Sequence, residues 1–277
     1  MGESRGIVNR FTIYFLAFAT SALAADPPSL WDPDLHREKP DLSGVRAIRF
    51  LTEDDYPPLN FARADGSLAG FNVEMARAVC EELQIGCTIQ ARRFETLVDS
   101  LIDSKGDAVV ASLAATPDLR KRIDFTLPYY STPARFVVQR NSTLADATPT
   151  ALADKTIAVI AGSAHERYLA AFFPKAIAKP EPDFAALTDA LESGVADAAF
   201  ADGLTLAVWL AGDQSRDCCV FKGGPFTESR FFGEGVGIAV RKDDDNLRKA
   251  MEWALARIAR NGKFAEIYLK YFPIGFY

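Results

Sequence analysis

Apolar and polar residues follow two different rhythms along most of this chain. Short apolar runs such as AIRFLT (47–52) and DAVVASLA (107–114) are interspersed with segments in which apolar residues recur every three or four positions, as in 70–83 and 94–104. The short runs are typical of strands, and the wider spacing is typical of amphipathic helices. Strands that alternate with helices predict an α/β fold with mostly parallel sheets, whose ligands bind beyond the carboxyl ends of the strands.

A second series of strands and helices repeats this order later in the chain. The stretch SLIDSKGDAVVASLA in the first series is similar to ALESGVADAAFADGL in the second, because both combine a helix end, a small-residue turn and an Asp-Ala-apolar strand. This recurrence predicts two similar lobes. The tail from residue 235 onward reads as a strand and two helical stretches, and we expect it to return to the first lobe.

The N-terminus has the pattern of a secretory signal. Basic residues precede an apolar run at 11–23, and small residues suit cleavage near Ala24/Ala25. The run is shorter than the roughly twenty residues that a membrane span requires. We therefore expect residues 1–24 to be removed, residues 25–45 to form an extended segment, and the mature protein to lie in the periplasm.

The composition is that of an ordinary globular protein. Hydrophobic residues make up 49% and charged residues 25% of the 277 positions, and the formal net charge is −6. The mature length admits either two lobes or one large α/β domain. Because an acidic chain without a Lys/Arg run offers no surface that follows a phosphate backbone, we expect no nucleic-acid partner.

Four cysteines are expected to pair in an oxidising compartment. Cys80 and Cys87 lie where a helix would end and a strand begin, and we predict a disulfide between them. Cys218 and Cys219 are adjacent, so a strained bridge, two free thiols and pairing with another chain all stay open. The chain has only two histidines and no CxxC spacing, and we expect neither a metal site nor a cofactor.

Six segments stand in the order and spacing of a known family. They are TEDDYPPLNF, GFNVEMARAV, DAVVASLAATPDLRKRIDFTLPYY, IAGSAHERYL, DAAFADGLTLAVWL and FFGEGVGIAVRKDDDNLRKAMEWALARI. Together they resemble the bacterial periplasmic solute-binding proteins of family 3, the polar amino acid class typified by lysine/arginine/ornithine- and histidine-binding proteins. The resemblance covers residues from about 46 to 273.

The resemblance implies a periplasmic binding protein type II fold, in which two α/β lobes close on a ligand in the cleft between them. Two crossing strands are expected near residues 131–134 and 227–235. Lobe 1 would then contain residues 46–132 and 233–277, and lobe 2 would contain residues 133–232.

For lobe 1, the resemblance implies a ligand wall that contains Glu53, Tyr56 and Phe94. Glu53 would attract a ligand cation, Tyr56 would stack on the ligand side chain, and Phe94 would form the opposite aromatic wall. Two plainer alternatives stay open. Glu53 is then a solvated acid beside a strand end, and Phe94 is part of the core.

The stretch from Ser112 to Ala114 lies where family members present backbone amides and hydroxyls to the ligand. Ser112 and the Leu113 carbonyl are candidate binders of an amine. Ala114 stands where family members usually have serine or threonine, so one polar contact is missing there.

The chain departs from the family at the residue that clamps the ligand's α-carboxylate. Family members have an arginine three residues after the threonine that matches Thr116, but Leu119 occupies that position and Arg120 follows it. One helical residue turns a side chain by about 100°, so Arg120 replaces the clamp only if the helix start is displaced. The alternative is a ligand without an α-carboxylate.

For lobe 2, the resemblance implies contacts from Ser163, Ala164, His165 and Asp202. Asp202 would accept the ligand's α-amino group, and Ser163 would bind at a helix start that favours anions. Ala164 replaces a threonine of the family pattern. His165 lies at the cleft rim or, equally, is an exposed residue of the first helical turn.

The resemblance further implies an ABC importer, in which this chain is a monomer, carries no catalytic apparatus and delivers a small polar or amine-bearing ligand, such as an amino acid, to permease subunits. Two alternatives stay open. One is a periplasmic enzyme on the same fold, similar to cyclohexadienyl dehydratases, with acid chemistry in the cleft. The other is a ligand-binding accessory or sensor protein.

Overall fold

The computed structural model describes residues 41–42, 45–272 and 275. The expected signal at 1–24 lies outside the described residues, as does most of the segment at 25–45. Leu42 and Val45, at the end of that segment, pack partly buried against the core of the first lobe. These two residues therefore contact the core from outside it. Among the described helices, none has the length and apolar character needed to cross a membrane.

The strands and helices of the described residues alternate as the sequence predicts. The strands are β1 (Ala47–Thr52), β2 (Asp55–Tyr56), β3 (Asn60–Ala62), β4 (Leu68–Ala69), β5 (Gly86–Ala91), β6 (Ala108–Val109), β7 (Ile123–Phe125), β8 (Ala134–Gln139), β9 (Thr156–Ile160), β10 (Ile177–Glu181), β11 (Ala198–Asp202), β12 (Cys219–Phe226) and β13 (Ala239–Arg241). The α-helices are α1 (Phe71–Leu83), α2 (Leu97–Ile102), α3 (Pro117–Arg120), α4 (Ala164–Phe172), α5 (Phe184–Glu192), α6 (Gly203–Ala211), α7 (Ser229–Phe232), α8 (Asp245–Arg260) and α9 (Lys263–Tyr271). Short 3-10 helices span Phe94–Thr96 and Asp213–Ser215.

The first sheet has the strand order β5-β1-β6-β13-β7. β1 is parallel to β5 and β6, whereas β13 is antiparallel to β6 and β7. Four of the five strands therefore run in one direction, as predicted, and only β13, which returns from the second sheet, runs opposite to them. We call this sheet with α1, α2, α3, α8, α9 and the small sheet of β2, β3 and β4 lobe 1.

The second sheet repeats this arrangement in the order β10-β9-β11-β8-β12. β9 is parallel to β10 and β11, and β8 is antiparallel to β11 and β12. We call this sheet with α4, α5 and α6 lobe 2. The matching strand orders agree with the sequence repeat that predicted two similar lobes.

Helix α1 shows how the apolar spacing builds the lobe 1 core. Phe71, Met75 and Val79 recur at i, i+4 and i+8, and none of the three is exposed. Burying a side chain of this size contributes roughly 1.5–3 kcal/mol. The predicted disulfide between Cys80 and Cys87 is confirmed, and it joins the end of α1 to β5.

Cys218 and Cys219 form a disulfide with each other, which was one of the three possibilities left open. The two residues before them, Arg216 and Asp217, have φ values of 48° and 54°. Such left-handed conformations are unfavourable for residues other than glycine, so this turn into β12 is a strained part of lobe 2.

Two connections run between the lobes. The first connection, residues 126–133, leads from β7 to β8, and the second connection, residues 227–238, leads from β12 to β13. They are joined by backbone hydrogen bonds from Tyr129 N to Val236 O (2.9 Å) and from Val236 N to Tyr130 O (2.8 Å). This paired strip is the part of the chain about which the lobes can rotate.

Candidate ligand-binding site

A cavity of about 1130 Å³ lies between the two lobes. Ser112 and Arg120 of lobe 1, Asp202 and Thr205 of lobe 2, and several residues of the second connection line it. Ser112 comes soon after β6, and Asp202 ends β11. Polar residues at the carboxyl ends of both sheets therefore face one space, as expected for this class of sheet.

A buried hydrogen-bond network holds Ser112 in place. Its Oγ accepts hydrogen bonds from Asn72 Nδ2 (2.8 Å) and the Tyr130 hydroxyl (2.7 Å). The completely buried Asn72 also donates to Asn60 Oδ1 (2.7 Å) and accepts from the Tyr129 hydroxyl (2.6 Å). With two bonds accepted, Ser112 retains its proton to donate. This geometry favours a ligand acceptor such as a carboxylate over the amine that the sequence suggested.

The two residues after Ser112 differ in exposure. Leu113 is 5% exposed, and its side chain packs in the lobe 1 core, so only its backbone can reach a ligand. Ala114 is exposed, lines the cavity and forms a backbone bridge with Val236. The cavity wall at this point consists of main chain and a methyl group.

Arg120, and not Leu119, lines the cavity. Leu119 packs against the lobe 1 core, and its backbone N–H donates to Thr116 Oγ1 (3.2 Å) at the start of α3. Because neighbouring helical residues are turned by about 100°, a core-facing Leu119 places Arg120 beside the cleft. Arg120 Nη2 donates to Glu234 Oε2 (2.9 Å), and its Nε donates to Ala115 O (3.3 Å).

Glu53 and Tyr56 form an acidic, aromatic corner after β1, of which Tyr56 lines the cavity and Glu53 does not. Glu53 is 9% exposed, and burial raises the pKa of its carboxyl, whereas the Asn60 amide lowers it. Tyr56 is 48% exposed and lines the cavity. Partial burial, followed by the negative charges of Asp202 and Glu53, raises the pKa of the Tyr56 hydroxyl. Both acids therefore act on this ring from opposite lobes, an arrangement that suits a ligand cation.

Phe94 stands apart from the cavity. It begins the 3-10 helix after β5, the edge strand of the first sheet, and its side chain is 45% exposed. Because β1 lies between β5 and β6, the end of β5 is one strand further from Ser112 than the end of β1. The structure does not bring Phe94 to this cavity as the expected opposite wall.

Asp202 caps α6 with one of its two carboxylate oxygens. Oδ1 accepts hydrogen bonds from Thr205 N (2.8 Å) and Thr205 Oγ1 (2.9 Å), which is N-cap geometry. These bonds fix the orientation of the carboxylate at the cavity wall. Neither of these two bonds uses Oδ2.

The start of α4 is closed by the chain's own side chains. Ser163 Oγ accepts from Glu166 N (3.1 Å), and Gly162 N donates to Glu166 Oε2 (2.7 Å), as in a capping box. A carboxylate of the protein thus occupies the helix start that the sequence assigned to a ligand anion. Arg167 lines the cavity, whereas Ser163 and Ala164 do not.

His165 packs in an aromatic cluster of lobe 2 rather than on the cavity wall. Its ring centroid lies 5.6 Å from that of Phe200 and 5.2 Å from that of Phe232 in the second connection. Burial lowers the pKa of the imidazole, and the charge of Asp202 opposes this. The buried imidazole is therefore close enough to Asp202 for that acid's charge to act on it.

The cavity residues that sequence reasoning missed include Arg167, Thr205, Arg230 and Glu234. Thr205 follows Asp202 at the spacing of a helix cap, which is a detectable signal. Glu234 lies between two glycines in the expected crossing segment. The two arginines carry no comparable signal. Within the described residues, no cluster of three or more His, Cys, Asp or Glu suits a metal ion.

The model of the bacterial extracellular solute-binding proteins, family 3, matches residues 48–274. The L-arginine-binding protein of Pseudomonas aeruginosa is 35% identical over 242 residues, which cover 86% of this chain and 92% of that protein. The putative ABC transporter arginine-binding protein 2 of Escherichia coli K12 is 32% identical over 231 residues, which cover 83% of this chain and 92% of that protein.

A solved structure agrees with the fold. The L-cystine solute receptor of Neisseria gonorrhoeae in its unliganded open conformation matches with a TM-score of 0.72 and 21% identity. The match covers 82% of this chain and 92% of that chain. At this identity the likeness shows the two-lobed fold alone.

Proposed function

This chain belongs to the bacterial extracellular solute-binding proteins of family 3, and on that premise we propose that its cleft captures a cationic amino acid, with L-arginine as the first candidate. The relatives named for arginine support this choice. We propose that the protein works in the periplasm as a monomer, without catalysis, and delivers its ligand to the permease subunits of an ABC importer.

The observation that carries the proposal is that Arg120 and Asp202 face one cavity from different lobes. Arg120 offers a guanidinium for the ligand's α-carboxylate, and the Ser112 hydroxyl offers a second donor in the same cavity. Asp202 offers Oδ2 to the α-ammonium group. The groups thus match the two charges that every amino acid carries.

The side chain of the ligand is assigned to the corner of Glu53 and Tyr56. The Tyr56 ring supplies a π-face, and cations bind such faces favourably when they are shielded from water. The charge of Glu53, which already acts on the Tyr56 hydroxyl, adds electrostatic attraction for a cation. A neutral side chain leaves both groups unused.

Capture requires the lobes to close, with lobe 1 at 46–132 and 233–277 and lobe 2 at 133–232. Only a ligand that touches both lobes favours the closed state, because it then binds that state more tightly than the open one. A ligand held by Arg120 on one side and Asp202 on the other meets this condition.

Isothermal titration calorimetry and thermal unfolding of the mature chain test the proposal. The probes are L-arginine, L-lysine, L-histidine, L-leucine and agmatine, which is arginine without its carboxylate. At a hundred times its dissociation constant, a true ligand stabilises the protein by roughly 2.7 kcal/mol. We expect L-arginine to bind most tightly.

Matched variants identify the groups responsible. Arg120→Ala is compared with Arg122→Ala, which removes an arginine that bonds Asp99 (2.6 Å) away from the cavity. We expect only Arg120→Ala to abolish binding of L-arginine. If Arg120→Ala binds as the wild type does, Arg120 is not the carboxylate receptor. If no amino acid binds the wild type, the proposed ligand class is wrong.

A further inference from the structure

Glu234 is bound to the guanidinium of Arg120, which the proposed function assigns to the ligand carboxylate. Its Oε2 accepts from Arg120 Nη2 at 2.9 Å, and both side chains line the cavity. A second nitrogen of the guanidinium is also engaged, since Nε donates to Ala115 O. A ligand carboxylate that binds Arg120 through Nη2 therefore competes with Glu234 for that nitrogen.

The backbone around Glu234 holds it at this position while leaving its side chain accessible. Gly235 has a φ of 104°, and a Cβ there would lie 2.8 Å from Tyr130 O, so the second connection is anchored closely on the first. Gly233 has a φ of 81°, and a Cβ there would meet nothing within 4 Å. Glu234 is 72% exposed, and Arg120 is 46% exposed. The backbone next to Glu234 is thus held in place, while both side chains of the ion pair are accessible to a ligand.

We propose that Glu234 is a built-in competitor for the carboxylate receptor and thereby sets the affinity for ligands that carry a carboxylate. This rests on the proposed function of Arg120. In the cleft as it stands, Glu234 holds the guanidinium. A ligand carboxylate displaces Glu234 during capture, and Glu234 takes the guanidinium back as the ligand leaves.

The strength of the pair sets the size of the effect. Exposed ion pairs are weak, so removing the competitor raises affinity by about two- to fivefold and not more. A ligand without a carboxylate does not compete with Glu234 and gains nothing. Glu234 therefore affects one chemical class of ligand selectively.

The test is calorimetric titration of L-arginine and of agmatine into the mature wild type, Glu234→Gln and Asp118→Asn. Asp118→Asn is the matched control, because Asp118 lies on the same helix as Arg120 but bonds Lys121 (2.6 Å) and does not line the cavity. Glu234→Ala is a second variant, and circular dichroism checks that each one folds. Stopped-flow fluorescence measures dissociation of L-arginine.

We expect Glu234→Gln and Glu234→Ala to bind L-arginine about two- to fivefold more tightly, with slower dissociation, and to leave agmatine unchanged. Asp118→Asn should change neither ligand. Unchanged or weaker binding of L-arginine by both Glu234 variants, or an equal gain for both ligands, overturns the inference alone. If L-arginine does not bind the wild type, the proposed function fails and this inference fails with it.

Discussion

The two lobes present their polar groups to the cleft in different ways. In lobe 1, Ser112 is fixed by a network whose centre, Asn72, is completely buried. In lobe 2, Asp202 is held by capping the helix that follows it, as is Ser163 outside the cavity. A buried network resists rearrangement because breaking it leaves unpaired polar groups, whereas helix caps are local and exchange readily with water. Lobe 1 is therefore the preorganised half of the site.

The largest expected effect comes from breaking the lobe 1 network at its centre. Asn72→Ala removes three hydrogen bonds and leaves the buried Tyr129 hydroxyl without its acceptor. We expect a loss of about 3 kcal/mol in the free energy of unfolding, measured by urea denaturation. Asn246→Ala, on the exposed surface, is the control and should cost less than about 0.5 kcal/mol.

The lobe 2 counterpart, Ser163→Ala, should cost only about 1 kcal/mol, because a single helix cap is lost. Ser163→Asp, which restores a capping oxygen, should recover most of this loss. If Asn72→Ala and Ser163→Ala cost the same, the contrast between the buried network of lobe 1 and the local helix caps of lobe 2 does not hold.

The next largest effect separates the two roles of Asp202, which are capping of α6 and the proposed binding of the ligand ammonium. Asp202→Asn keeps a capping oxygen for α6 but loses the charge offered to the ligand ammonium, so affinity for L-arginine should fall about 10- to 150-fold with little change in stability. Asp202→Ala should lose the same affinity and also about 1 kcal/mol of stability. Calorimetry and urea unfolding of both variants provide the measurements. Wild-type affinity in Asp202→Asn would show that the carboxylate serves the helix alone.

Much of the fold follows from local signals in the sequence. The apolar spacing in α1, the alternation of strands and helices, the repeat of the two lobes and the bridge from Cys80 to Cys87 all depend on neighbours in the chain. The antiparallel direction of one strand in the first sheet was not predicted, because β13 joins β6 and β7 from the far end of the chain. No short-range pattern carries that information.

The site was predicted less completely, and Arg120 shows why. Counting residues placed Leu119 at the clamp, but the rotation of a short helix is decided by which side chain packs on the core, and Leu119 does so. The capping of α4 by Glu166 was missed as well, although the spacing from Ser163 to Glu166 is a known capping signal. Glu234 reaches the site only through the folding of the second connection.

Glu53 allows a test of how much stability lobe 1 gives up for its site. Folding raises the pKa of its carboxyl, so protonation of Glu53 stabilises the folded protein. This stabilisation is complete below the pKa of the unfolded chain and is lost as pH rises through the folded pKa. At neutral pH a partly buried charge remains. Glu53→Gln should therefore unfold at a higher temperature than the wild type at neutral pH, and this gain should vanish in acid.

The same variant should bind L-arginine more weakly, since it removes an attractive charge. Asp118→Asn, which removes an exposed acid on α3, is the control, and it should not show the stability gain. A Glu53→Gln protein that is less stable than the wild type at neutral pH would contradict the pKa direction on which this prediction rests.

We expect the smallest effect on stability from His165 in lobe 2. Its dependence on pH is opposite to that of Glu53. Burial lowers the pKa of its imidazole, so its contribution to stability is present above the pKa of the unfolded chain and is lost as pH falls through the folded pKa. Wild-type protein should lose stability relative to His165→Gln between neutral pH and about pH 5, a difference of a few degrees at most in the unfolding temperature. The variant also loses ring contacts with Phe200 and Phe232, but this cost does not depend on pH.

Because the charge of Asp202 opposes the downward shift, the Asp202→Asn background provides an internal check on the His165 prediction. There the imidazole has lost its nearby negative charge, so protonation in the folded state is harder and the acid-dependent loss should grow. The difference between wild type and His165→Gln, followed by thermal unfolding across pH in both backgrounds, measures this coupling. Equal pH profiles in the two backgrounds would mean that Asp202 and His165 do not interact and that the aromatic cluster of lobe 2 is independent of the residue that faces the ligand.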